Sequence, residues 1–245
     1  MRTDIFITSD THFHHKNIVR GTTGWRGSGM EQKTRDFPTL EAHDETLVKN
    51  INDTVGENDI LYHLGDWSFG GLEQVWEFRK RLNCLNIHIV YGNHDHHLER
   101  NRIINVPKNE KSIVERILGR EIEVNGDTIP VYIHDMFSSL QPYKTASIGG
   151  QSMVLCHYAM RTWDKGHHGT WMLYGHSHGT LPPYHLKGHG LVTKDYTTME
   201  YIYFKTMDVG VDTHPEFRPY HIDEIRKIME DKSPLLVDHH NENTN

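Results

Sequence analysis

Five short polar segments, each directly behind a run of apolar or β-branched residues, constrain this chain most. They are Asp10-Thr11-His12, Gly65-Asp66, Gly92-Asn93-His94-Asp95, the single His157, and Gly175-His176-Ser177-His178. The runs before them cover 4–9, 60–64, 87–91, 152–156 and 171–174, as in Ile87-His88-Ile89-Val90-Tyr91. Continuous stretches of this kind suit strands buried on both faces of a sheet. Donors at the carboxyl ends of neighbouring strands can converge on one crevice, where α/β proteins commonly bind ligands. Asp10 and His12 stand two residues apart, which sends both side chains to one side of the sheet.

Between these runs the apolar spacing becomes helical. Leu40, Leu47, Val48 and Ile51 share a stripe of 40–53, and Leu72, Val75, Trp76, Arg79 and Leu82 share one of 72–82. A third helix is predicted over 110–118 and a fourth over 222–231, where Ile222, Ile225, Ile228 and Met229 share a face. A further strand is expected over 201–211. Strands alternating with helices predict an α/β fold. No internal repeat or low-complexity linker is present, so residues 1–232 read as one domain and 233–245 as a disordered tail, with His239 and His240 in solvent. Residues 20–38 and 179–195 break the alternation and read as long functional loops.

Bulk chemistry narrows the partners. There are 26 Lys plus Arg against 33 Asp plus Glu, and the basic residues are scattered apart from clusters such as Arg79-Lys80-Arg81. Strong non-specific nucleic-acid binding is therefore not expected. A small phosphorylated or nucleotide-like substrate, or a short single-stranded end, fits the charge. No window approaches the roughly 18 apolar residues of a membrane helix. Met1-Arg2-Thr3-Asp4 runs straight into a strand with no signal peptide in view. With only Cys84 and Cys156, a disulfide framework is not expected, and a reducing cytoplasmic setting fits.

The candidate donors are the imidazoles of His12, His157, His176 and His178, the carboxylates of Asp10 and Asp66, and the amide oxygen of Asn93. This mixture suits Mn, Fe, Zn or Co better than Ca. Seven donors exceed what one site with an open position uses. Two metals sharing a carboxylate is the economical reading, and such pairs, about 3.5–4 Å apart, clamp the attacking and leaving oxygens of a phosphoryl displacement.

In this order the segments resemble the Asp-x-His, Gly-Asp, Gly-Asn-His-Asp/Glu, His and Gly-His-x-His blocks of the calcineurin-like metallophosphoesterases, and they span residues 10–178. The flanks, including Asp208-Val209-Gly210-Val211-Asp212, look like compact bacterial and phage-encoded members, which implies the cytoplasm of a bacterium or of a phage's host. The resemblance implies two stacked mixed β-sheets flanked by helices. It puts one metal on Asp10, His12 and His178 and the second on Asn93, His157 and His176. Asp66 and a nucleophilic water or hydroxide would bridge them. Mn is the expected ion, with Fe, Zn, Ni and Co as alternatives. His94 would protonate the leaving alkoxide or stabilise its charge. Asp95 would orient the His94 imidazole or, alternatively, cap the following turn. Arg161 would hold phosphate oxygens or anchor its loop. His15 would face substrate, whereas His14 and Lys16 are expected in solvent.

One departure narrows the activity. Protein Ser/Thr phosphatases and diadenosine tetraphosphate hydrolases read Gly-Asp-x-x-Asp-Arg-Gly in the second block. Here Gly65-Asp66-Trp67-Ser68-Phe69-Gly70-Gly71 replaces the Asp-Arg pair with Phe69-Gly70. That argues against both activities and favours a phosphodiesterase using metal-bound hydroxide. A phosphomonoesterase with the same metals is the alternative. A non-catalytic scaffold is disfavoured because all seven ligands are kept.

Overall fold

The computed structural model describes residues 3–24, 34–181, 185–186, 201–202 and 204–234. In chain order the strands are β1 (Ile5–Thr8), β2 (Ile60–His63), β3 (Asn86–Val90), β4 (Ile103–Pro107), β5 (Thr128–Tyr132), β6 (Ser139–Gln141), β7 (Tyr143–Ile148), β8 (Gln151–Cys156), β9 (Trp171–Tyr174), β10 (His185–Leu186), β11 (Tyr201–Ile202), β12 (Thr206–Asp208) and β13 (Tyr220–His221). The helices are α1 (Leu40–Thr54), α2 (Leu72–Arg81), α3 (His96–Glu99), α4 (Lys111–Leu118) and α5 (Ile222–Glu230).

One sheet runs β13-β1-β2-β3-β6, parallel except between β13 and β1. The other runs β12-β9-β8-β7, parallel except between β8 and β7. The alternation of side chains along a strand decides which layer each one joins. Ile7 and Val90 of the first sheet meet Met153, Leu155, Trp171 and Leu173 of the second in one buried cluster, to which α5 adds Ile222, Ile225 and Met229. Their neighbours Phe6, Leu61, Ile87 and Ile89 face the other way, onto Leu47, Val48 and Ile51 of α1 and Val75, Trp76 and Phe78 of α2. Val154, Cys156, Met172 and Tyr174 point to the far side of the second sheet and pack with Trp163 and Phe204. The expected α/β arrangement of two mixed sheets with helices is thus the observed one.

Several local expectations are corrected. The strand predicted over 201–211 is broken: β11 pairs with β10, β12 pairs with β9, and Gly210 bridges Ser9. Asp208 turns its own carboxylate onto the Gly210 N–H at 2.8 Å, a local bond that competes with the ladder. Ile228 is 40% exposed, because the buried stripe of α5 runs through Ile222, Ile225 and Met229. Arg79, on the apolar stripe of α2, is fully buried and donates to the carbonyls of Met136, Cys84 and Leu85 at 2.9, 3.1 and 3.4 Å. Burial pulls its pKa down to about 10, so it stays charged at neutral pH. Ser233, placed in the tail by the sequence, is held by the Lys205 N–H at 2.9 Å. Residues 235–245, with His239 and His240, lie outside the described residues, as do 25–33, 182–184 and 187–195 of the two long loops. No described helix is long and apolar enough to cross a membrane.

Candidate metal centre

The seven predicted donors meet where the carboxyl ends of β1, β2, β3, β8 and β9 come together. Asp10, His12 and His178 bring one ligand atom each to within 4.8 Å of one another, and Asp66, His157 and His176 do the same. Asn93 Oδ1 joins the second triad, 3.0 Å from His157 Nε2 and 2.9 Å from His176 Nδ1. Asp66 Oδ2 stands between the triads, 3.4 Å from His12 Nε2 and 3.5 Å from His157 Nε2. A carboxylate so placed is what a bridged pair of cations requires.

The backbone bends sharply to achieve this. Asp10, His12, Asp66, His176 and His178 all have φ between 46° and 66°, the left-handed region that side chains with a Cβ avoid. Such residues cost about 1–3 kcal/mol each and persist only where their surroundings fix them. Here the loops are laced together. Asp10 N–H donates to Gly65 O and His12 N–H to Asp66 O, both at 2.9 Å. The His176 N–H donates to the Asp10 carboxylate at 3.0 and 2.9 Å.

Gly175 lets these loops touch. A Cβ there would lie 2.0 Å from Ser9 Oγ and 2.4 Å from Asp10 Oδ2. Gly175→Ala is therefore expected to displace Asp10 and weaken any divalent-cation binding at the candidate centre by about 10–100-fold, the range for disturbing a ligand's support. Calorimetric titration of the folded variant measures this, and an unchanged affinity would count against the arrangement.

Electrostatics show that the residues fit a cation. His12 is 3% exposed, and neither ring nitrogen has a hydrogen-bond partner. Burial, aided by Arg35, pulls its pKa well below the usual value, leaving a neutral ring with a lone pair to offer. Burial, opposed by His178 and reinforced by Asp66 and Asp208, pushes the Asp10 carboxyl up to about 7. Divalent ions would supply the missing countercharge and a partner for the orphaned nitrogen. Imidazole, carboxylate and amide donors together suit first-row divalent metals.

Outer groups set the ligand orientations. His178 Nδ1 donates to Asp212 Oδ2 at 2.6 Å, and Arg35 grips the two Asp212 oxygens through Nε and Nη2, each at 2.7 Å. Burial opposes a charged His178, but Asp212 and Asp10 outweigh it and raise the pKa. Burial would likewise raise the Asp212 carboxyl, but Arg35 and His178 hold it well below the usual range. Arg35 also donates to the carbonyls of Thr11, at 2.9 Å, and Asp10, and to His43 Nε2 at 2.8 Å. All five guanidinium N–H groups are thereby engaged. On the other triad, His157 Nδ1 donates to Leu64 O at 2.8 Å. In both rings this leaves Nε2 turned to the centre. Sequence reading assigned no role to Arg35, which lies in an expected loop, and treated Asp212 only as part of a familiar flank.

The remaining candidates divide. The His94 N–H donates to Asp66 Oδ1 at 2.9 Å, and its half-buried ring lies 5.4 Å from that of His12. His15 also reaches the centre, 5.2 Å from His12 between ring centroids. His14 and Lys16 are exposed, as expected. Asp95 neither orients the His94 ring nor caps α3. Its buried carboxylate accepts the N–H groups of Asp66, Trp67 and Gly92 at 2.7, 3.0 and 2.8 Å. The reason is local: the turns at Asp66 and Gly92 aim inward N–H groups that need an acceptor. Arg161 is exposed, and among the described residues no hydrogen bond or ion pair ties it to the seven donors.

An uncharacterised protein of Methanocaldococcus jannaschii is 36% identical over 102 residues, which cover 41% of this chain and 51% of that one. The chain thus spans about half the length of that relative. The fold is similar to that of a protein of unknown function from Aquifex aeolicus, with a TM-score of 0.48 and 20% identity over 93% of this chain and 100% of that chain. It also bears a remote likeness to a novel archaeal phosphodiesterase, with a TM-score of 0.35 and 19% identity over 71% and 72% of the two chains. Residues 4–185, which include every donor of both triads, match the calcineurin-like phosphoesterase superfamily domain, and the chain belongs to that superfamily.

Proposed function

We propose that this chain is a phosphodiesterase that cleaves small or nucleotide-like diesters at a centre of two divalent cations. Asp10, His12 and His178 would hold one ion, Asn93, His157 and His176 the other, and Asp66 both. The observation that carries the reading is the position of Asp66 Oδ2, 3.4 Å from one triad's imidazole and 3.5 Å from the other's. Two such cations lower the pKa of water towards neutrality and polarise phosphoryl oxygens. Mn²⁺ is the ion proposed, on the mixed oxygen and imidazole donor set, and the cytoplasm the setting.

The side chains contribute position and protons. Asp66 is fixed by the His94 N–H on Oδ1, which leaves Oδ2 directed at the two imidazoles. The His94 ring, tied to that carboxylate through its own backbone, would give a proton to the leaving oxygen. General acids contribute about 10²–10⁴-fold. His94→Ala should therefore lose about that much on a methyl ester and far less on a p-nitrophenyl ester, whose anion leaves without a proton. Equal losses on both substrates would refute the general-acid role.

One feature supports a diester over a monoester. The rim offers an aromatic ring, Phe69, where related second blocks carry Asp-Arg. The test is hydrolysis of bis(p-nitrophenyl) phosphate against p-nitrophenyl phosphate by chelator-stripped protein reloaded with Mn²⁺. Metal-dependent turnover favouring the diester is expected. A preference for the monoester would replace this reading with a phosphatase.

A further inference from the structure

The edge of the centre beside His94 is aromatic. Phe69 is 40% exposed even though the His15 ring stacks on it, with centroids 4.1 Å apart and planes 12° apart. The His94 ring meets Phe69 at 5.4 Å in a T-shaped contact. His15 lies in turn 5.2 Å from His12 and 6.0 Å from His94. Phe69 thus stands on the same loop as the shared carboxylate of Asp66, next to the imidazole proposed to face the leaving oxygen.

The ring is held in place rather than left on a loose tip. The Phe69 N–H donates to Phe13 O at 2.8 Å, and Phe13 pairs with Ser68 in an isolated bridge. The Phe13 side chain is buried and stacks on Phe78 at 4.7 Å, which anchors the segment to α2. Behind Phe69, Gly70 and Gly71 have φ of 116° and 115°, which turn the chain sharply into α2 and leave the ring at the rim. An exposed phenylalanine contributes little to folding, whereas a fixed ring with open surface is a stacking platform for planar heterocycles. Stacking of this kind is tolerant of base identity because every base has a π-face.

We infer that Phe69, backed by His15, forms a shelf that stacks the base of a nucleotide ester whose phosphate occupies the metal centre. The inference rests on the phosphodiesterase reading and names its substrate class. It makes Phe69 a specificity determinant. The metal ligands would recognise the phosphate, and the shelf would distinguish a nucleoside ester from a simple alkyl ester.

Adenosine 5′-monophosphate and ribose 5-phosphate share sugar and phosphate and differ in the base, so their affinities isolate the shelf. Calorimetry on the Mn²⁺-loaded protein should show the nucleotide binding about tenfold more tightly or better. In Phe69→Ala the two ligands should bind alike, with the affinity for ribose 5-phosphate as in the parent. Phe69→Trp should keep the gap. Equal affinities in the parent protein, or a gap that survives Phe69→Ala, would overturn the shelf while leaving the metal centre standing. Failure of both ligands to bind the Mn²⁺-loaded parent would overturn the phosphate-binding centre and the shelf with it.

Discussion

Asp66→Asn is expected to lower turnover of a chromogenic diester by about a thousandfold or more, roughly 4 kcal/mol of barrier, while the fold survives. The two oxygens of Asp66 have different tasks. Oδ1 accepts the His94 N–H at 2.9 Å, and Oδ2 lies between His12 and His157. An asparagine can keep the first contact with its carbonyl oxygen. It then presents an NH₂ group, which binds no cation, to both triads. The variant should bind fewer Mn²⁺ ions per chain than the parent, by elemental analysis after dialysis, with an unchanged far-ultraviolet circular dichroism spectrum. Full activity, or an undiminished metal content, would show that this carboxylate does not bridge.

Arg35→Met should be among the most destabilising substitutions in the chain. Arg35 is 6% exposed and all its N–H groups are engaged, two of them by Asp212. Methionine fills the volume but leaves Asp212 without its countercharge and the carbonyls of Asp10 and Thr11 without a donor. Breaking a buried pair from one side costs about 3–5 kcal/mol. The double variant Arg35→Met/Asp212→Asn removes the stranded charge as well and should recover part of that loss. Arg35→Lys should not substitute, because an ammonium cannot reproduce the planar fork. Urea unfolding of the four proteins measures each term. A loss below about 1 kcal/mol in Arg35→Met would mean that the network is incidental.

What the sequence made legible follows from how local each signal is. The runs before Asp10, Asp66, Asn93, His157 and His176 stood out because β1, β8 and β9 are buried along most of their length and no residue of β2 or β3 is exposed. β4 and β5 bury only alternate residues, and β13 is two residues long; no apolar run marks them. The partnership of Arg35 with Asp212 joins positions 177 residues apart and exists only after β1 and the 208–212 segment have met. The partners of Asp95 are backbone N–H groups of the 65–67 and 92 turns. Side-chain motifs carry no record of backbone donors. The left-handed φ values of five candidate donors are likewise a property of the folded loops.

The most direct test of a centre bridged by Asp66 is a Mn²⁺ titration of chelator-stripped protein, with bound metal and bis(p-nitrophenyl) phosphate hydrolysis followed on the same samples. A bridged centre predicts two ions per chain at saturation, with hydrolysis rising as the second ion binds. Full hydrolysis at one ion per chain, or saturation at one, would contradict it.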